Sequence, residues 1–153
     1  MRQIMTASWS ARLPAKVVRV GISRCVPRGQ AGYQRLRELE PGSWFKSVSP
    51  QRYLALYGEI LARLDPEEVR DRLFGLGDIP VMLCWEKAQD CDAGKVWCHR
   101  HLAAQWLEDR LGIQVHEVGF PDLDRFAYLR SLGIPVPSYR QRTRATGRKN
   151  RFR

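Results

Sequence analysis

Apolar residues change spacing several times along this chain, and each change predicts an element. Residues 4–9, Ile-Met-Thr-Ala-Ser-Trp, are short and mixed, while residues 17–22, Val-Val-Arg-Val-Gly-Ile, are rich in β-branched side chains; both read as strands. Residues 23–32, with two arginines, two glycines and a proline, suit a loop. Ser49-Pro50 is a helix start, a capping hydroxyl followed by a proline whose φ already fits the first turn, and Tyr53, Tyr57, Ile60 and Leu64 follow at helical spacing. Asp65-Pro66-Glu67-Glu68 repeats the device, with two acids at the positive helix end and Val69 and Leu73 as a buried stripe before Gly75 and Gly77 end the helix.

From Pro80 the polar positions vanish. Val81-Met82-Leu83-Cys84-Trp85 is a continuous apolar run of the kind found in a strand covered on both faces, as in parallel sheets. A helix follows over about residues 98–111, with Leu102, Ala103, Trp106, Leu107 and Leu111 on its apolar face and Gly112 as its stop. Residues 113–118 alternate as a strand, which completes a βαβ unit, and residues 120–132 hold one more short helix. The pattern predicts a single compact, three-layer, Rossmann-like α/β domain with a mainly parallel sheet over residues 1–139, and a separate basic tail over 140–153.

Charge sharpens that division. The net charge is +10, yet Arg140, Arg142, Arg144, Arg148, Lys149, Arg151 and Arg153 supply seven positive charges with no acid among them, which leaves 19 basic against 16 acidic residues elsewhere. With Phe152 as its sole large apolar side chain, the tail cannot bury enough surface to order itself alone, and its arginines suit phosphate contacts on nucleic acid. No run of 18 apolar residues exists and the N-terminus lacks a signal-peptide pattern, so a cytoplasmic location without membrane contact is the expectation. Four cysteines in such a chain read as reduced or functional sulfurs rather than a disulfide framework.

The chemistry gathers between residues 81 and 101. In open α/β sheets binding sites lie at the carboxyl ends of strands. Cys84 and Glu86 end one strand, Ser23 and Arg24 end another with Arg28 nearby, and Cys98-His99-Arg100 opens the helix; they converge if the two strands are neighbours. At a helix N-terminus beside His99 and Arg100, Cys98 is expected to be partly exposed and to favour the thiolate. Glu86 is placed to carry protons, Arg100, Arg24 and Arg28 to hold an anion, and Ser23 to line the pocket. His101 reads as a surface residue, Cys91 as a loop residue, and Cys84, though a motif position, as packing before chemistry. A zinc site on Cys91, Cys98 and a histidine ranks behind these, because six residues separate each cysteine from the next, where structural zinc knots use tight pairs; no cofactor is expected.

Leu83-Cys84-Trp85-Glu86-Lys87 followed by Cys98-His99-Arg100-His101-Leu102, preceded by Tyr53, Tyr57, Leu61 and Leu64-Asp65-Pro66, resembles the family named "domain of unknown function 488" over about residues 4–118. The resemblance implies a compact α/β domain of the kind found in small bacterial and phage proteins, with Cys84, Glu86, Cys98, His99 and Arg100 at its motif positions. It implies no reaction. The chain departs from the pattern in a longer loop before Cys98, which carries Cys91, and in the basic tail. Two functions are compatible with these residues. One is an enzyme acting on a nucleotide or nucleic-acid component through Cys98, Glu86 and the arginines. The other is a nucleic-acid-binding or accessory protein that uses its tail, with the motif structural.

Overall fold

The computed structural model describes residues 1–140, so Arg142, Arg144, Arg148, Lys149, Arg151 and Arg153 lie outside the described residues. Five strands, β1 (Met5–Ser8), β2 (Val18–Gly21), β3 (Tyr33–Arg35), β4 (Pro80–Cys84) and β5 (His116–Glu117), form one sheet in the order β3-β2-β4-β1-β5, with every pairing parallel. The helices are α1 (Pro50–Ala62), α2 (Pro66–Leu76), α3 (Ala88–Asp92), α4 (His99–Leu111) and α5 (Ala127–Ser131). β4 is central and buried along its whole length, which is why its sequence shows no alternation.

The two proline-led helix starts work as their chemistry requires. Ser49 Oγ accepts the Arg52 N–H at 3.1 Å, and Asp65 Oδ1 accepts the Glu67 N–H at 3.0 Å. α2 runs through Gly75 and stops only at Gly77. On one face of the sheet, Ile4, Val20, Ile22 and Met82 pack with Tyr57 and Leu61 of α1, Val69 and Leu73 of α2, and Leu102, Trp106 and Leu107 of α4. The other face, Ala7, Trp9, Val81 and Leu83, is covered from loops by Ala11, Leu13, Val17, Val26 and Val118. The third layer is therefore loop rather than helix, a consequence of the connection after β1 being too short to hold one.

Differences from the sequence reading have local causes. β3 and α3 form in segments that read as irregular, and β5 is two residues long instead of six. Val115 explains the short strand: its N–H donates to Glu108 Oε2 at 2.9 Å and its carbonyl accepts from Arg125, so its backbone is engaged by side chains before the ladder begins.

The largest departure lies at the start of α4. Arg100 is not an exposed cation waiting for an anion; it is wholly buried, donating from Nε to Glu117 Oε1 at 3.1 Å and from Nη2 to Oε2 at 2.7 Å. His101, also buried rather than on the surface, donates from Nε2 to Oε1 at 2.9 Å, and Thr6 Oγ1 donates to the same oxygen at 2.6 Å. Burial alone would raise the Glu117 pKa, but the hydrogen bonds from His101 and Arg100 hold it down at about 2. Burial lowers that of His101 and keeps its ring neutral.

Replacing Glu117 by Gln leaves a buried guanidinium without its counter-charge. It should destabilise the fold by about 3–5 kcal/mol in urea unfolding. The unfolded Glu117 carboxyl takes up a proton near its ordinary value of 4.5 while the folded one resists until about 2, so the stability it contributes is complete above pH 4.5 and lost as pH falls toward 2. Unfolding midpoints measured across that window should fall with acid in the native chain and lose this component in Glu117→Gln.

Candidate functional site

Because β2 and β4 are parallel neighbours with Gly21 opposite Leu83, residues 22–24 and 84–86 leave the sheet side by side. They then part. The chain after β2 turns toward the loop layer, where Val26 packs, and the chain after β4 turns to the side that carries α3 and α4. Strand ends that diverge to opposite faces open a crevice, the usual place for a ligand in a parallel sheet. Here it is a cavity of about 520 Å³.

Cys98 is the N-cap residue of α4, with extended backbone at φ −143° and no capping bond from its side chain. The next residue turns back over the sheet. His99 donates from Nε2 to the Ile22 carbonyl at 2.8 Å, and since a carbonyl only accepts, Nε2 carries the ring proton. Nδ1 thereby faces Cys84 Sγ at 3.4 Å. Tyr57 packs edge-on to the imidazole at 5.3 Å and is itself held by its hydroxyl donating to the Leu39 carbonyl at 2.7 Å. Cys84 Sγ, Cys98 Sγ and His99 Nδ1 all lie within 4.8 Å of one another on the cavity floor.

The electrostatics separate the sulfurs. Burial pushes the Cys98 thiol up, but the hydrogen bond from Cys84 and the Arg100 charge outweigh it and bring its pKa well below the ordinary value. Burial and the Cys98 neighbour drive Cys84 the opposite way. Glu86, half-buried at the same floor, is raised to about 7 by desolvation and by Cys98. Arg100 thus acts on the site from behind, through its charge.

Of the residues selected from sequence, Ser23, Arg24, Cys84, Glu86, Cys98 and His99 line this cavity, and Arg28 and Arg100 do not. Cys98 is 2% exposed, far less open than a helix start suggests, because it packs against Cys84, Cys91 and Val96. Ser23 is occupied: its hydroxyl accepts from Trp9 Nε1 at 3.0 Å and donates to the Cys25 carbonyl. Arg24 is exposed at the mouth, one Nη1 bond of 3.2 Å going to the Pro41 carbonyl. Cys91 is no loop residue; it lies fully buried in α3, packed beside Cys84 and Cys98. Arg140 is exposed, 3.9 Å from Asp109 and away from the cavity.

Other lining residues were not selected from the sequence, Trp97, Tyr53, Phe45 and Lys46 among them. Trp97, Tyr53 and Phe45 form an aromatic wall, with Tyr53 edge-on to Trp97 at 4.6 Å, and Lys46 adds a second cation at the rim. Trp97 stands next to Cys98 in the chain, a signal that was available. Tyr53 was hidden by its place in an ordinary helical stripe.

No family model matches the chain, and neither a curated protein nor a solved structure is similar to it.

Gly21 lets the Trp9 indole lie directly against β2. A Cβ there would come within 2.7 Å of Trp9 Cζ2 and 2.8 Å of Cη2. Gly21→Ala should displace the indole, break its bond to Ser23 and cost about 1–3 kcal/mol of overpacking, read as a lower unfolding midpoint with altered tryptophan fluorescence.

Proposed function

We propose that this protein is an enzyme that takes an anionic substrate, a nucleotide or nucleic-acid component, into the cavity between β2 and β4. One observation carries the reading: a cationic mouth, an aromatic wall and a floor of thiol, imidazole and carboxyl groups share one space of about 520 Å³. That volume suits a small ligand. Arg24 and Lys46 supply charge for a phosphate, and Trp97, Tyr53 and Phe45 offer ring faces and edges for a planar base. Cys98 provides the thiolate, Glu86 is the proton carrier beside it, and Arg100 is a positioning residue that supports the thiolate without touching substrate. The likeness of the Cys84-Glu86 and Cys98-His99-Arg100 positions to the "domain of unknown function 488" pattern supports a shared ancestry and a shared site. Among the described residues no helix is long and apolar enough to cross a membrane, in keeping with a substrate that reaches the cavity from water.

The test is thermal unfolding with inorganic phosphate, pyrophosphate and nucleoside phosphates, each against sodium chloride of equal ionic strength. A ligand at a hundred times its Kd should add about 2.7 kcal/mol. The paired substitution Arg24→Ala, Lys46→Ala should weaken that ligand about tenfold or more, the worth of a charge-assisted hydrogen bond. If no anion stabilises beyond the salt control, the reading fails.

The seven cations of residues 140–153 favour a second, separable reading, binding of nucleic acid by the tail. Each phosphate neutralised should add about −0.9 to the slope of log K against log salt on duplex DNA. Cutting the chain after Tyr139 should abolish binding and slope together; binding unchanged by the cut would remove the tail from the account.

A further inference from the structure

We propose that Cys84 Sγ, Cys98 Sγ and His99 Nδ1 bind one zinc-type divalent ion, whose fourth coordination position opens into the cavity. This concerns the floor of the cavity described above and stands without the anionic substrate, since an ion binds there whatever enters from the mouth.

Two thiolates and an imidazole are the donor set that a borderline-soft ion such as Zn²⁺ prefers. Zinc–sulfur bonds of about 2.3 Å and zinc–nitrogen bonds of about 2.0 Å place tetrahedral ligands roughly 3.5–3.8 Å apart. The three atoms already lie within 4.8 Å of one another, with Cys84 to His99 at 3.4 Å, so a shift of about 1 Å or less closes the set. The histidine is prepared for the role. Its other nitrogen donates to the Ile22 carbonyl, which fixes the tautomer and turns the bare Nδ1 toward the sulfurs, as the outer hydrogen bond of a metal-binding histidine does. Tyr57 holds the ring from its edge.

Cys98 points the same way. An N-cap position is best served by Ser, Thr, Asp or Asn, whose oxygen accepts a backbone N–H. Cysteine stands there instead and makes no capping bond, its sulfur turned to the cavity floor. All three residues are at least nine-tenths buried, and all three line the cavity, so the fourth position of an ion held by them faces the space that Glu86 also lines. Three protein ligands with one open place is the arrangement of catalytic rather than structural zinc, and a carboxylate beside the open place can take a proton from bound water.

The test uses the untagged full chain, reduced with a sulfur-free phosphine, stripped with a chelator and dialysed. It is titrated with Zn²⁺ against a chromophoric competitor and with Co²⁺ by absorbance. One equivalent should bind, and cobalt should show a sulfur-to-metal charge-transfer band with the intense visible bands of tetrahedral coordination. Cys84→Ser, Cys98→Ser and His99→Gln should each weaken binding by at least the 10–100-fold that losing even an outer partner costs. Cys25→Ser, at the exposed cysteine, should bind as the native chain does. Buried substitutions can disturb folding, so a second measurement keeps to the native sequence: Zn²⁺ should protect Cys84 and Cys98, and not Cys25, from alkylation followed by mass spectrometry. A folded native chain with no cobalt charge-transfer band overturns the proposal. So does binding that survives both serine substitutions, or binding lost in Cys91→Ser while Cys84→Ser retains it. Loss of the metal site with nucleotide stabilisation intact would remove this inference alone. Metal binding without any anion effect would remove only the anionic-substrate reading.

Discussion

The buried ion pair between Arg100 and Glu117 is the constraint on which the placement of everything else rests. A guanidinium with no exposed surface needs a carboxylate in one geometry, and Glu117 meets it through both oxygens while accepting from Thr6 and His101 as well. Such a pair adds little net stability over an apolar substitute, since desolvation consumes most of the Coulombic gain. Its effect is on register. Successive helical residues point about 100° apart, so once Arg100 and His101 are committed to β1 and β5, Cys98 and His99 must lie over the ends of β2 and β4. One turn of α4 therefore spans four strands of the sheet.

That span also explains the electrostatics of the floor. Arg100 is charged and cannot be otherwise; its carboxylate partner lies on the side away from the cavity, and its field reaches Cys98 across the helix start. That cation is held from behind by its bonds to Glu117 and does not line the cavity. Glu86, desolvated by burial and next to that negative sulfur, takes the opposite shift. Two acidic groups on one floor are thus shifted in opposite directions by their surroundings.

The readable parts of the sequence were those whose chemistry is local. Ser49-Pro50 and Asp65-Pro66 declare helix starts because cap and φ restriction act within a single turn, and the apolar run ending at Cys84 declares a central strand because both its faces are covered. The convergence of Ser23, Arg24, Cys84, Glu86, Cys98 and His99 followed from one further fact, that β2 and β4 are neighbours. Arg100 misled because its partner lies in a two-residue strand whose pairing no short-range pattern announces. His101 misled for the same reason, sharing that carboxylate. Cysteine spacing is silent on the contact between Cys84 and Cys98. The rule of tight pairs describes knots closed by one loop, whereas Cys84 and Cys98 meet because a strand end and a helix start meet, and six-residue gaps do not bear on that.

Helix α4 concedes stability at its beginning and nowhere else. Its C-terminus has a glycine at φ 69°, the usual left-handed stop, and its body is packed by Leu102, Trp106 and Leu107. At the first turn, by contrast, a cysteine forgoes a cap worth about 1 kcal/mol. A charged side chain and two histidines are buried there where leucines would pack, and two sulfurs and an imidazole are crowded together over the sheet. A core selected for stability alone would relieve each of these at small cost, since apolar replacement of buried ionic groups is often neutral or better. Local rules broken together at one place, on rigid elements and on the cavity floor, support the proposed reading of this turn as a functional site. The rest of the fold is ordinary so that this turn need not be.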